Sequence, residues 1–277
     1  MNNSIATAAP TPRTFHLRPA ITDLRQGLAA WRIWWSLGWQ DIRLRYRRSQ
    51  LGPFWITLST AVMIYSMGFL YGKLFKIDLS TYYPYLATGL ITWTFISSII
   101  LEANEAFIEN AGFIRQTCLP FSIYILRLLT RNFIVLLHNV LPVLPILIYY
   151  KIAPTSAGVL YLIFGLILFL SIGYSVGLLL AMLGSRFRDM KPIVASLVQI
   201  SFLITPILWQ HSMLSPKLQA LMNFNPFYQL IQLLRAPLLG QIPSTNTLAY
   251  CIVLAIMSLA LMVIVLARCR HRIAFWV

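Results

Sequence analysis

Acidic residues are scarce in this chain. Only seven Asp and Glu stand among 277 residues, and charged residues of both signs make up 10% of the total. That scarcity excludes much catalysis, because membrane-embedded transferases use Asp, Glu or His near the bilayer face to activate a nucleophile or hold a metal. No carboxylate cluster falls inside an apolar run. Cysteine is equally sparse: Cys118, Cys251 and Cys269 are far apart, without CxxC or Cys/His spacing, so neither a disulfide framework nor a zinc site is expected. The GxxxxGK(S/T), HExxH and GxSxG patterns are all missing, so no nucleotide is expected to bind here through a P-loop. No catalytic residue, metal site or cofactor is assigned to this chain.

What the chain does hold is apolar length and positive charge. It is 58% hydrophobic and carries 22 Lys and Arg, for a formal charge of +15. A basic balance usually raises nucleic acid, but here the basic residues sit beside apolar runs, as membrane topology requires. The class is an all-α polytopic membrane protein. The first 20 residues lack an apolar core and read as a disordered, cytoplasmic tail (1–20) rather than a signal peptide.

Crossing a hydrocarbon layer takes about 20 helical residues, and six runs qualify: 51–72, 79–101, a third after Pro120 that continues to Tyr150 and is expected to kink near Pro142 and Pro145, a fourth inside 152–185, a fifth over 192–209 and a sixth over 248–267. With both termini inside, the eight Arg before the first run, Arg115, Arg127, Arg131, Arg186, Arg188, Lys191, Arg268, Arg270 and Arg272 are cytoplasmic; only Lys73, Lys76, Lys151, Lys217 and Arg235 fall outside. Every loop then obeys the positive-inside rule. The six-span domain covers 51–267, followed by a basic cytoplasmic tail at 268–277.

Before the first run, Leu24, Leu28, Trp31, Trp35, Ile42 and Tyr46 recur at helical spacing, opposite Arg25, Arg32, Gln40, Arg43 and Arg47. This predicts one amphipathic interface helix over 21–48, with Trp31 and Trp35 at headgroup depth and Arg43, Arg47 and Arg48 toward lipid phosphate. Gly52 and Pro53 then turn the chain into the bilayer. Two short helical patterns between the fifth and sixth runs, within 210–247, are too short to cross and read as half-inserted or surface helices.

Glu102, Glu105 and Glu109 share a helical face, which is either solvated or docks a cytoplasmic partner. Arg127 and Arg131 also share a face; they either snorkel or receive an anionic lipid headgroup. Small-residue stripes at Gly68 and Gly72, and at Gly173, Gly177, Ala181 and Gly184, allow close helix packing within one chain or between two. Thr57 and Tyr65 on the first run, and Gln199, Phe202 and Trp209 on the fifth, give mixed polar and aromatic faces. They suit either a pathway for a sugar polymer or a helix contact.

The segments "RYRRSQLGPFW", "ENAGFIRQTCLP", "FRDMKPIVASLVQISFLITPILW", "NPFYQLIQLLRAPLL" and "RHRIAFW" resemble, in order and spacing, the permease subunits of ABC-type polysaccharide exporters of O-antigen, capsule and teichoic acid. The resemblance implies a homodimer in the bacterial inner membrane, served by two copies of a separate cytoplasmic ATPase that binds the ATP and magnesium. It implies a coupling helix over 102–118 with Glu109, Asn110, Gly112 and Arg115 in the matching motif, and a re-entrant hairpin forming an outer gate with Asn225, Pro226 and Arg235. The expected cargo is an undecaprenyl-linked polysaccharide, most simply O-antigen, moved through a channel at the dimer interface. Export of a small lipid or drug, a membrane glycosyl or acyl transferase, and a scaffold without a pathway are the rival readings.

Overall fold

The computed structural model describes residues 17–117 and 119–277; the expected tail at 1–20 lies almost wholly outside them. The described residues form helices and turns, with no strand. In chain order the helices are α1 (Leu17–Ala29), α2 (Trp31–Arg45), α3 (Phe54–Phe75), α4 (Leu79–Glu109), α5 (Ala111–Gln116), α6 (Ser122–Val140), α7 (Leu144–Tyr149), α8 (Ser156–Arg186), α9 (Met190–Ile204), α10 (Pro216–Met222), α11 (Pro226–Leu238) and α12 (Thr245–Trp276). Five stretches are long and apolar enough to cross a membrane: α3, α4, α6 with α7, α8 and α12. The expected fifth run is shorter. It stops at Ile204 because Thr205 precedes Pro206 and takes an extended ψ of 137°, as residues before proline do.

Several boundaries differ from the sequence reading. The interface helix is two helices, α1 and α2, broken at Ala30 with ψ 37°. Its inward face is made of Ala20, Asp23, Gly27, Gly38 and Ile42, while Trp31 and Trp35 are exposed. The reason is close packing on α6: a Cβ on Gly27 would lie 2.0 Å from Ser122 Oγ, and one on Gly38 would lie 2.9 Å from the Arg127 carbonyl oxygen. The expected coupling helix over 102–118 is likewise not one helix in its described part, 102–117, Cys118 lying outside the described residues. Glu102 to Glu109 prolong α4, and α5 begins after a turn at Asn110. The basic tail is no separate segment, since α12 runs on through Trp276.

The expected kink near Pro142 and turn at Gly52 match the geometry. The third run breaks at Leu141–Val143, around Pro142. Gly52 takes φ +54°, a conformation that costs L-residues with a Cβ about 1 kcal/mol or more, and α3 starts two residues later. Asn225 caps α11 by accepting from the Phe227 and Tyr228 amides, with Pro226 in the first turn. At the start of α4, Asp78 accepts from Ser80, and those bonds hold its carboxyl below the usual carboxylate range. That contribution is complete above the ordinary carboxylate pKa and fades as pH falls through the lowered one.

α4 is the most buried of the apolar helices and forms the hub, packing against α3, α6, α8, α9 and α11. Lipid tails are as apolar as leucine, so close contact and hydrogen bonding, rather than escape from water, must hold such helices together. Phe95 stacks on Phe169 of α8 at 4.8 Å between ring centroids, and Ser175 of α8 donates to Ser258 of α12 at 2.7 Å. The small-residue stripe of α8 is spent inside the chain: Gly173 faces Ile99 and Leu129, Gly177 faces Ala103 and Ile125, and Gly184 meets Asn104. Gly68 and Gly72 of α3 pack in the same way against Tyr83 and Leu79.

Candidate functional site at the two ends of the bundle

One end of the bundle carries α1, α2, α5 and the last turns of α12, and is basic. There the scarce acids are concentrated. Asp41 of α2 holds Arg127 of α6 in a two-pronged pair, Nε to Oδ2 at 2.8 Å and Nη2 to Oδ1 at 2.6 Å, and accepts from Arg131 at 3.3 Å. Arg131 continues to Glu102 of α4 at 2.8 Å, which also accepts from Asn132 at 2.6 Å and lies 3.8 Å from Arg45. Arg127 reaches the Asn110 side-chain oxygen at 3.0 Å, at the turn before α5. Glu109, Asn110, Asp41, Arg127 and Arg131 line a polar cavity of about 190 Å³. Glu105 pairs with Lys191 at the start of α9.

These contacts change the chemistry assigned to two predicted groups. Arg127 and Arg131 have carboxylates where a headgroup phosphate was the alternative, so an anionic lipid must compete with Asp41 and Glu102. Of the three glutamates, Glu102 and Glu105 are paired within the chain, and Glu109 faces the cavity. α5 leaves an open surface at this end: Phe113 is exposed, and a Cβ on Gly112 would meet nothing within 4 Å. Arg115 turns the other way, donating to the Val277 carbonyl oxygen. Trp35, Arg43 and Arg47 line a surface groove with Trp39, Tyr46 and Pro53, while Trp31 and Arg48 are exposed beside them.

Asp23, absent from the sequence reading, is the second anchor. It is 1% exposed and takes the Phe121 and Ser122 amides at 3.1 and 3.2 Å, so a side chain of α1 caps the start of α6. Arg270 of α12 donates to it at 3.1 Å. Asp23→Ala should lower stability by about 1 to 2 kcal/mol, the usual worth of a cap, read as a lower unfolding midpoint in detergent; Asp23→Asn should recover part of it.

At the opposite end, the irregular segment 205–209 is gripped through its carbonyls. Tyr82 of α4 donates to Leu208 at 2.6 Å, and Tyr85 donates to Pro206 at 2.9 Å and Trp209 at 3.2 Å. Asn225 donates to Thr205 Oγ1 at 3.0 Å. Arg235 of α11 is fully buried, lies 3.8 Å over the Tyr85 ring and donates to the Pro206 carbonyl at 3.2 Å. Neither Tyr82 nor Tyr85 was singled out in sequence, where nothing distinguishes them from the other tyrosines of the run.

The mixed faces divide. Thr57 and Tyr65 spend their hydroxyls on α6 and the break after it, donating to His138 at 3.2 Å and Pro142 at 3.1 Å. On α9, Gln199 is exposed, and Phe202 packs 5.6 Å from Trp93 of α4. Trp209 is half-buried in the gripped segment. α3 and α9 both pack on α4.

Residues 32–239 match the ABC-2 type transporter family. Among curated proteins, the chain is 24% identical over 195 residues, 69% of its own length and 74% of the relative's, to the O-antigen export system permease protein RfbA of Klebsiella pneumoniae. It is 23% identical over 180 residues, 63% of its length and 66% of the relative's, to the protein of that name from Myxococcus xanthus. With three quarters of its length inside the match and an all-helical bundle around it, the chain belongs to the ABC-2 type transporter family.

Proposed function

We propose that this chain is the membrane subunit of an ATP-driven exporter of the O-antigen type, moving a lipid-linked polysaccharide outward across the bacterial inner membrane. The observation that carries this reading is the family match together with relatives named as O-antigen export permeases. In it α9 is the short fifth of six spans, both termini are cytoplasmic, and the basic end faces the cytoplasm. Two copies of the chain enclose the pathway, with α3 and α9 along it. The cargo is undecaprenyl-linked. ATP and magnesium reside in two copies of a separate ATPase, and this chain performs no covalent step.

In this scheme α5 is the docking element. A push on it reaches α6 and α2 through Asn110, Arg127 and Asp41, and reaches α12 through Arg115 and Val277. Phe113→Asp should weaken ATPase binding by about 2 kcal/mol, as for a central aromatic anchor, while leaving insertion unchanged; co-purification with the partner ATPase reads this directly. The test of the whole reading is sidedness. Cells depleted of the chain should accumulate lipid-linked glycan on the cytoplasmic face, whereas loss of glycan synthesis points to a transferase and normal display refutes export.

A further inference from the structure

Among the described residues, Arg235 is the one fully buried basic side chain, and no acid compensates it. All seven carboxylates belong elsewhere. Asp23, Asp41, Glu102 and Glu105 are in ion pairs with other basic residues, Asp78 caps α4, Glu109 lines the polar cavity, and Asp189 precedes α9. Arg235 has 0% of its surface exposed. Among the described residues, Nη1 alone of its three guanidinium nitrogens has an acceptor, the Pro206 carbonyl, while Nε and Nη2 are buried without one. The Tyr85 ring face supplies further attraction.

The surroundings are shaped around this arrangement. Nη2 sits against Gly89, where an added Cβ would lie 2.0 Å away, so α4 has a missing side chain where the guanidinium rests. A buried polar group without a partner costs free energy, and a charged one costs more. For the conformer seen here alone, an apolar side chain of similar length would serve better, since buried charges are commonly replaced by hydrophobic groups without loss of stability.

We propose that Arg235 is a positioning residue for outward opening: its guanidinium is under-bonded in this conformer and completes its bonds with water or polymer hydroxyls when segment 205–209 and α11 part from α4. The residue thus raises the free energy of the packed arrangement relative to the open one. A ligand or ATP-driven push then has less to overcome, because a shift between two states is governed by their difference in free energy. The inference rests on the export reading for the identity of the moving polymer, but not for the bonding deficit.

The test compares wild type, Arg235→Met and Arg235→Lys, each in complex with the ATPase. Methionine keeps the length and can lie against the Tyr85 ring. Expected are an unfolding midpoint for Arg235→Met at or above wild type, export of lipid-linked glycan reduced to a small fraction, and partial recovery of export with Arg235→Lys. A lower midpoint for Arg235→Met makes the arginine an ordinary structural contact and overturns the proposal. So does unchanged export. If wild type itself moves no lipid-linked glycan, the export reading fails, and the midpoint comparison still decides whether Arg235 destabilises this conformer.

Discussion

Gly184→Val should abolish accumulation of folded protein. A Cβ at this position would lie 1.9 Å from the Asn104 carbonyl oxygen and 2.9 Å from its carbonyl carbon. Those are backbone atoms of the hub helix, so no rotamer change relieves the contact and α8 must move away from α4 along their shared face. Overpacking a tight core costs about 1 to 3 kcal/mol where side chains can adjust, and more where they cannot. Gly184→Ala should therefore already be severe. Gly173→Ala is the control, because its Cβ would meet Leu129 Cδ2 at 3.3 Å, the movable end of a side chain. Yield of monodisperse protein after detergent extraction separates the two. Equal yields would mean that α4 and α8 are not packed as described.

Asp41→Ala should be the most damaging removal of a charge. The carboxylate is 10% exposed and compensates Arg127 and Arg131, which are 23% and 16% exposed. Breaking a buried pair by deleting one partner typically costs about 3 to 5 kcal/mol, because the other charge is left behind. Arg131 retains Glu102, so the stranded charge is chiefly Arg127. Combining Asp41→Leu with Arg127→Met should return the unfolding midpoint most of the way to wild type. A double variant no better than the single one would show that the bonds from Arg127 to Asn110 and from Arg131 to Asp41 matter more than the pair itself.

How much of this was legible in the sequence depends on whether a feature is set by local pattern or by distant contact. The membrane class, the break at Pro142 and the turn at Gly52 follow from apolar length and from backbone rules for proline and glycine, which act within a few residues; the same rule stops α9 before Pro206, where apolar length alone carries the fifth run on to 209. The helix ends at Glu109 and Trp276 do not, because α4 and α12 continue past their apolar runs on contacts made by Glu102 and Arg270 to other helices. Asp23 and Asp41 were lost among the arginines around them, yet scarcity itself was a clue: four of the seven acids, Asp23, Asp41, Glu102 and Glu105, are in ion pairs that join different helices. The face of α2 that meets α6 also escaped pattern reading. Gly38, Asp41 and Ile42 meet α6 there, Trp34 is half-buried, and Trp31, Trp35 and Trp39 are exposed.

α4 has a mechanical consequence. Thirty-one residues at 1.5 Å each make a rod of about 46 Å, well beyond the roughly 30 Å of a hydrocarbon layer. Tyr82 and Tyr85 hold segment 205–209 at one end, and Glu102 takes the charge network at the other. From Tyr85 to Glu102 the axis measures about 25 Å, so a tilt of about 5° displaces one grip by about 2 Å relative to the other, nearly the length of a hydrogen bond. The two ends of the bundle are thereby geared together by a single stiff shaft, and a movement imposed at the basic end can loosen the far grip with no relay of side chains between them.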